Sequence, residues 1–346
     1  MQSAFVFSGN ASQWPAMGRA LIEEDSGFAH TIEAVDALFR DAFATHAGIC
    51  TPVVVQNPSV LEVLCGRVAD ECLDYTEIAQ PALFAVQAGL TEAMRARGVD
   101  AACVCGHSVG ELAAAWAGQG LSLAQATEIV AVRSLQQARV KGAGQMTAVA
   151  LSGEAAGELL RSQEALAGLA VAGFNSPGSC TVAGDRQALA RLESELTRRR
   201  VGYKRLRLDY AFHTGAMDPI RETLLQILSD DRFVPHPGER ALPFFSTVTG
   251  ARRKLEDLDG EYWWRNVREP VRMAPAVAGM IDAGCRVFVE ISPHPILSGY
   301  LQECWDARKP AAIGSNDVQI LPVLQRGKAG RARLDELAGR VLSQLR

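Results

Sequence analysis

Apolar residues follow two rhythms along this chain. Short unbroken runs at Ser3–Phe7, Ala101–Cys105 and Arg286–Ile291 predict strands buried on both faces, since a strand covered on both sides has no polar face. Longer stretches repeat apolar residues every three or four positions. Between Ser26 and Phe43, Ile32, Val35, Leu38 and Phe39 fall on one face of a helix. Further helices are expected from about Met17, over Pro81–Arg97 with Pro81 in the first turn, over Ala216–Ser229 and over Pro275–Ala283. Residues 44–60, with Gly48, Pro52 and Pro58, have the composition of a loop.

Residues 144–208 carry a pattern of their own. Strand-like runs at Gln145–Leu151, Leu169–Phe174, Cys180–Ala183 and Gly202–Leu208 alternate with helical stretches at Gly153–Gln163 and Asp185–Arg200. Asn175-Ser176-Pro177-Gly178 is a turn, and Asp185 suits an N-cap. The order β-α-β-β-α-β is that of a ferredoxin-like unit. The expected architecture is α/β: a large domain over 1–143 and 209–346, with 144–208 inserted as a small subdomain.

Composition narrows the class. The 346 residues carry 35 Lys+Arg and 39 Asp+Glu, a net charge of −4, with 48% apolar residues. That is too apolar for a disordered chain and too close to neutral for binding to nucleic acid through bulk charge. No stretch approaches the ~18 apolar residues of a membrane span. The first residues, Met1-Gln2-Ser3-Ala4-Phe5, have no basic leader, so a cytoplasmic protein is expected. Eight cysteines show no zinc spacing and lie mostly in apolar runs, as small buried groups of a reducing compartment would.

Chemistry enters at Gly106-x-Ser108-x-Gly110, a nucleophile elbow directly after a buried strand and before an alanine-rich helix. Small flanking residues permit the sharp turn. The helix start offers its dipole and free backbone N–H groups, that of Val109 above all, to an oxyanion. A serine nucleophile needs a base. Of the six histidines, His30 and His46 are expected at the surface, and His236 lies between two prolines. His107 adjoins the serine and points elsewhere, toward the pocket wall. His213, in Tyr210-Ala211-Phe212-His213 after a strand, and His294, in a proline-rich turn, remain as candidates.

Several segments together resemble one family. Gly106-His107-Ser108-Val109-Gly110-Glu111 resembles the GHSxGE motif of malonyl-CoA:acyl-carrier-protein transacylases and of polyketide synthase acyltransferase domains. Phe7–Trp14, Tyr210–His213, Asn266–Arg272 and Glu290–Pro295 resemble the family's remaining motifs in the same order, so the resemblance spans nearly the whole chain. It implies an α/β-hydrolase-like core with a ferredoxin-like subdomain and a ping-pong transfer through an acyl-serine on Ser108. His213 would be base and acid, steered by a backbone carbonyl. The oxyanion hole would use the N–H groups of Asn10 and Val109. At 10 and 11 the family has Gln and Gly where this chain has Asn10 and Ala11, which puts the loop's backbone freedom in doubt. Arg133, 25 residues after Ser108, matches the arginine that holds the extender's free carboxylate, for which a planar guanidinium is suited. The implied partners are acyl-CoA and an acyl carrier protein bearing phosphopantetheine, with no bound cofactor and no metal.

By the same resemblance, Phe212 before the histidine, Val109 after the serine and Ala79-Gln80-Pro81 point to malonyl, while Tyr210 belongs to the methylmalonyl pattern. Tyr210, Phe212, Gln80 and His107 are the expected pocket residues beside Arg133. Arg198, Arg199, Arg200, Lys204, Arg205 and Arg207 form a basic cluster with no acid between Thr197 and Leu208, a candidate docking face for an acidic carrier through Arg199 and Arg205. The C-terminal 21 residues hold six basic residues and two acids, a second candidate. Ile320–Leu324 resembles the linker that follows such domains in multidomain synthases. A serine hydrolase or editing thioesterase, or a transferase for another acyl group, would share the elbow.

Overall fold

The computed structural model describes residues 2–47, 59–309 and 317–345. Eleven strands form two sheets among these residues: β1 (Gln2–Phe7), β2 (Cys103–Gly106), β3 (Gln145–Val149), β4 (Leu169–Ser176), β5 (Ser179–Gly184), β6 (Tyr203–Arg205), β7 (Phe244–Ser246), β8 (Ala251–Arg253), β9 (Val271–Arg272), β10 (Cys285–Ile291) and β11 (Gln319–Pro322). The large sheet has the order β11-β10-β1-β2-β7-β8, parallel except for the edge strand β8. Its central strands β1 and β2 are buried almost throughout, as their unbroken apolar runs require. Ser8–Asn10 follow β1 and the Ser108 turn follows β2, so both arrive at the same end of the sheet.

The small sheet has the order β6-β3-β5-β4-β9. β3, the helix Gly153–Ser162, β4, β5, the helix Arg186–Arg198 and β6 follow the order read from the sequence. Asp185 caps its helix, accepting the Gln187 and Ala188 N–H groups at 2.9 Å. β6 is only three residues long, against an expected run to Leu208. β9 comes from outside the segment and pairs with β4 in parallel, tying the two sheets together.

Several elements differ from the sequence reading. Thr76–Ala96 is one helix, so Pro81 lies inside it rather than in its first turn. The helix is buried on nearly every face, so no polar stripe marks where it starts. Leu123–Ala138 is a helix that periodicity did not reveal, because it too is buried almost all round. Its start does carry a signal: Ser122 and Gln125 form a capping box. Gly260–Arg268 and Ser298–Arg308 are further helices without a sequence expectation. The linker-like segment Ile320–Leu324 packs on the large sheet, where β11 pairs with β10 and Leu321, Val323 and Leu324 are buried. Of the loop expected over 44–60, residues 44–46 instead continue the helix Ser26–His46 and Val60 opens the helix Val60–Leu64, while 48–58, with Gly48, Cys50, Pro52 and Pro58, lie outside the described residues. No helix among the described residues is long and apolar enough to cross a membrane.

Candidate active site

The elbow works because two glycines allow it. A Cβ on Gly106 would lie 2.2 Å from the backbone of Gly110, and one on Gly110 would lie 2.5 Å from the Phe7 carbonyl oxygen. The turn is thus pressed against the end of β1, where His107 N–H donates to the Phe7 carbonyl at 2.8 Å. Ser108 sits at φ +55°, left-handed backbone that a non-glycine residue adopts only under constraint. The helix Gly110–Ala117 then starts at once, with Val109 as its N-cap. Among the described residues neither Val109 N–H nor Asn10 N–H has a hydrogen-bond partner, so both remain available to an oxyanion.

His213 is the histidine that meets the serine. Its Nε2 lies 2.8 Å from Ser108 Oγ, and its Nδ1 lies 2.9 Å from the Glu269 carbonyl oxygen. A carbonyl only accepts, so Nδ1 carries the proton and Nε2 accepts from the serine hydroxyl. Burial pulls the imidazole down to about 3, with the Arg133 and His107 charges adding to the effect. It is neutral at physiological pH, the form a base requires. The rival His294 lies elsewhere and accepts the Arg326 N–H at 3.4 Å. His46, expected at the surface, is buried at 2% exposure, with Nε2 2.8 Å from Glu128 Oε1, because its helix packs that face inward. His107 turns away from the serine and lines the cavity wall, its Nε2 3.2 Å from Asn175 Oδ1.

Arg133 reaches the same hydroxyl from the Leu123–Ala138 helix. Its Nη2 lies 3.2 Å from Ser108 Oγ. Its Nη1 donates to Gln80 Oε1 and, at 3.1 Å, to Gln137 Oε1. Gln80 Nε2 in turn donates to Gln137 Oε1 at 2.7 Å and to Thr76 Oγ1. Gln80 is therefore a holder of the guanidinium and not part of the cavity wall. Gln137, four residues after Arg133 on the same helix face, was not foreseen, although the spacing offers it. Burial lowers Arg133 to about 9, so it stays charged at neutral pH. Among the described residues no carboxylate forms an ion pair with it, though the Glu111 charge favours its charged form; it is 2% exposed and lies behind the cavity lining, meeting the site through the Ser108 hydroxyl.

The cavity over Ser108 holds only ≈ 60 Å³ and lies between the sheets, with Asn10, Phe212 and His213 on one side and Met146, Ala172 and Thr181 on the other. Tyr210 stands behind Phe212 and does not reach the cavity. A wider groove of ≈ 820 Å³ along Glu154, Arg161, Phe174 and Arg272 contains none of these groups. Behind the elbow lies Glu111, fully buried and raised to about 7 by that burial. Asn266 Nδ2 bonds both Glu111 Oε2, at 2.7 Å, and the Ser108 carbonyl, at 3.1 Å. Asn266 and Glu111 stand in the motifs quoted above, but nothing in the sequence brings them together.

The basic cluster is less free than it reads. Arg199 Nε donates to Glu195 at 2.6 Å, and Arg205 grips Glu193 through two nitrogens at 2.9 and 2.7 Å. Both acids precede the cluster on the Arg186–Arg198 helix.

Comparison with known proteins shows the family. The family model of the acyl transferase domain matches residues 4–342. A polyketide synthase, GfsB of Streptomyces halstedii, is 38% identical over 332 residues, covering 95% of this chain and 6% of its own length. The loading acyltransferase of the avermectin modular polyketide synthase superposes with TM-score 0.84 at 34% identity, covering 99% of each chain. The acyltransferase domain from module 8 of the salinomycin polyketide synthase superposes with TM-score 0.85 at 34% identity, covering 99% of this chain and 74% of that one. This chain therefore belongs to the acyl transferase domain family, as a relative of polyketide synthase acyltransferase domains.

Proposed function

We propose that the chain loads malonyl from CoA onto Ser108 and passes it to the phosphopantetheine thiol of an acyl carrier protein, in the cytoplasm, during polyketide assembly. The observation that carries this reading is the meeting of two groups at one hydroxyl. Ser108 Oγ lies 2.8 Å from a neutral His213 Nε2 and 3.2 Å from the guanidinium of Arg133.

The steps follow from those positions. Arg133 holds the free carboxylate of malonyl and leaves the thioester carbon over Ser108. His213 Nε2 takes the hydroxyl proton as Oγ attacks that carbon. Charge on the carbonyl oxygen falls to the N–H groups of Asn10 and Val109. The Glu269 carbonyl supports the imidazolium through Nδ1. Collapse breaks the C–S bond, and the imidazolium returns its proton to the leaving CoA sulfur. In the second half the carrier thiol gives its proton to Nε2 and attacks the acyl carbon, and Ser108 leaves and is reprotonated. The apolar cavity wall of Met146, Leu206, Leu208 and Phe212 disfavours water, which supports transfer over hydrolysis.

In architecture we read 1–143 and 209–346 as an α/β-hydrolase-like domain and 144–208 as a ferredoxin-like insert. The antiparallel order β6-β3-β5-β4 with two helices supports the insert. The chain spans only 6% of the first curated relative, so other synthase domains are proposed partners beside the carrier. Carrier docking through Arg199 and Arg205 stays a proposal, with less free charge than the bare sequence suggests. Charge reversal at both should raise the KM for the carrier and leave that for malonyl-CoA unchanged. Equal carrier KM values would exclude that face.

The test of the function is a transfer assay. Labelled malonyl-CoA should leave its acyl group on the protein, and a carrier should then remove it. Ser108→Ala should stay unlabelled. Release of malonate to water at the same rate with or without carrier would make the chain a hydrolase.

A further inference from the structure

Glu111 has no part in the steps above, yet its carboxylate collects donors from three places. Oε1 accepts the Thr247 N–H, and Oε2 accepts from Tyr262 Oη at 3.1 Å and from Asn266 Nδ2 at 2.7 Å. Ser246 Oγ accepts the N–H groups of Val248 and Thr249 and lies 2.7 Å from Tyr262 Oη, whose single proton serves either Ser246 or Glu111. The Thr247 N–H and the Asn266 NH2 can only donate to the carboxylate.

The network closes on the nucleophile. The second N–H of Asn266 Nδ2 donates to the Ser108 carbonyl at 3.1 Å, and that carbonyl also takes the Glu111 N–H at 3.0 Å. Tyr262 and Asn266 stand four residues apart on one face of the Gly260–Arg268 helix. Glu269 caps the same helix end, and its carbonyl holds His213 Nδ1. One helix end thus touches both halves of the pair: Asn266 holds the backbone of Ser108, and Glu269 holds the ring of His213. Both of those residues sit in left-handed backbone, at φ +55° and +63°, which their surroundings must impose.

We propose that Glu111 is a positioning residue for the Ser108–His213 pair: its carboxylate seats the Gly260–Arg268 helix on the back of the elbow, and that helix end sets the serine–imidazole separation. The proposal rests on Ser108 being the nucleophile. It assigns Glu111 no contact with substrate.

Glu111→Gln tests it with little change in volume. The new NH2 meets the Thr247 N–H on one side, and on the other the Asn266 amide can answer it only by turning its unpaired Oδ1 forward and dropping the Ser108 carbonyl, so the support of the elbow changes either way. A misplacement of about 1 Å can cost ~10²-fold in rate. The single-turnover rate of Ser108 acylation by malonyl-CoA should therefore fall by about 30–100-fold. Half-saturation should move much less than the rate, because Arg133, Gln80 and Gln137 hang on other helices and Glu111 reaches Arg133 only through its charge. Final labelling should still reach one acyl group per chain, which a partly unfolded variant would not reach. The double variant Glu111→Gln with Asn266→Asp offers the glutamine an acceptor and should recover the melting temperature. It should stay slow, because an aspartate side chain there has no N–H for the Ser108 carbonyl. Should Glu111→Gln not fold, Tyr262→Phe removes one grip and keeps the ring, and a fall of about 3–10-fold at unchanged half-saturation is expected. A folded Glu111→Gln, or Tyr262→Phe in its place, acylating at the wild-type rate would overturn the proposal, as would full recovery in the double variant. Wild-type protein that takes no label on Ser108 would instead sink the nucleophile assignment, and this proposal with it.

Discussion

Phe212 stacks face to face on Tyr210, with ring centroids 4.7 Å apart and planes 9° from parallel. Tyr210 is fully buried, and its hydroxyl oxygen accepts the Thr76 N–H at 3.4 Å. A ring backed in this way is held in place on the wall of the cavity over Ser108, which on the proposed reading leaves little room for a branched acyl group. Phe212→Ser should therefore raise the share of methylmalonyl over malonyl on Ser108 by about 10-fold or more, since one methyl group in a pocket is worth ~1–3 kcal/mol. Tyr210→Phe keeps the stack and should leave the ratio within about twofold. Competition between the two CoA esters, read by intact mass, decides it. An unchanged ratio in folded Phe212→Ser would remove the steric account.

Arg133 should decide between dicarboxylic and plain acyl groups. Its Nη1 is spent on Gln80 and Gln137, so the substrate carboxylate must be met by the remaining face of the fork. Arg133→Ala should cut malonyl loading by about 10²–10³-fold, in line with the ~2–5 kcal/mol for removing one partner of a buried charge pair. Acetyl loading should change far less. Arg133→Lys should not rescue malonyl, because an ammonium cannot reach both glutamines and the carboxylate in one plane. Malonyl loading by Arg133→Lys at near the wild-type rate would refute the bidentate picture.

The geometry of His213 has a sign in pH. Its folded value lies near 3, against ~6.5 in the unfolded chain. Between those values the unfolded chain binds a proton that the folded protein refuses, so stability is complete above pH ~6.5 and is lost as pH falls below it. Glu111, raised to about 7, works in the opposite sense over the same window, so the test is a difference: from pH 7 to pH 5 the melting temperature of His213→Gln should gain on that of the wild type. The acylation rate should show its acid limb below the free histidine value. An apparent pKa at or above 6.5 in a single-turnover profile would contradict the buried neutral base.

How much of this was legible in the sequence depends on locality. Ser108 and its turn were readable because the determinants are Gly106 and Gly110, side by side with the serine. Asp185 was readable as a cap because a cap acts over three residues. Pro81 and the Leu123–Ala138 helix were misjudged or missed because complete burial erases the amphipathic stripe that periodicity needs. His46 misled for the opposite reason: its partner Glu128 is 82 residues away, so its burial had no local mark. Distance also hides Asn266, 155 residues from Glu111, whereas Glu193 is only 12 residues before Arg205 and was passed over because it lies upstream of the basic run.

Ala11 carries strain in the loop that holds Asn10. Its φ is +85°, in the left-handed region where a Cβ crowds the following carbonyl. The conformation is held by the Ala11 N–H donating to Gln13 Oε1 at 2.8 Å and by the Ser8–Ser12 hydroxyl pair at 2.9 Å. Glycine would relieve ~1–2 kcal/mol of that crowding. It would give back about 0.4–1 kcal/mol through a freer unfolded chain. Ala11→Gly should thus gain roughly 0.5–1 kcal/mol and raise the melting temperature by roughly 1–3 °C. The Asn10 N–H keeps its place, so acylation of Ser108 should stay within about twofold of wild type. A lower melting temperature would mean that the alanine methyl makes a packing contact worth more than the strain.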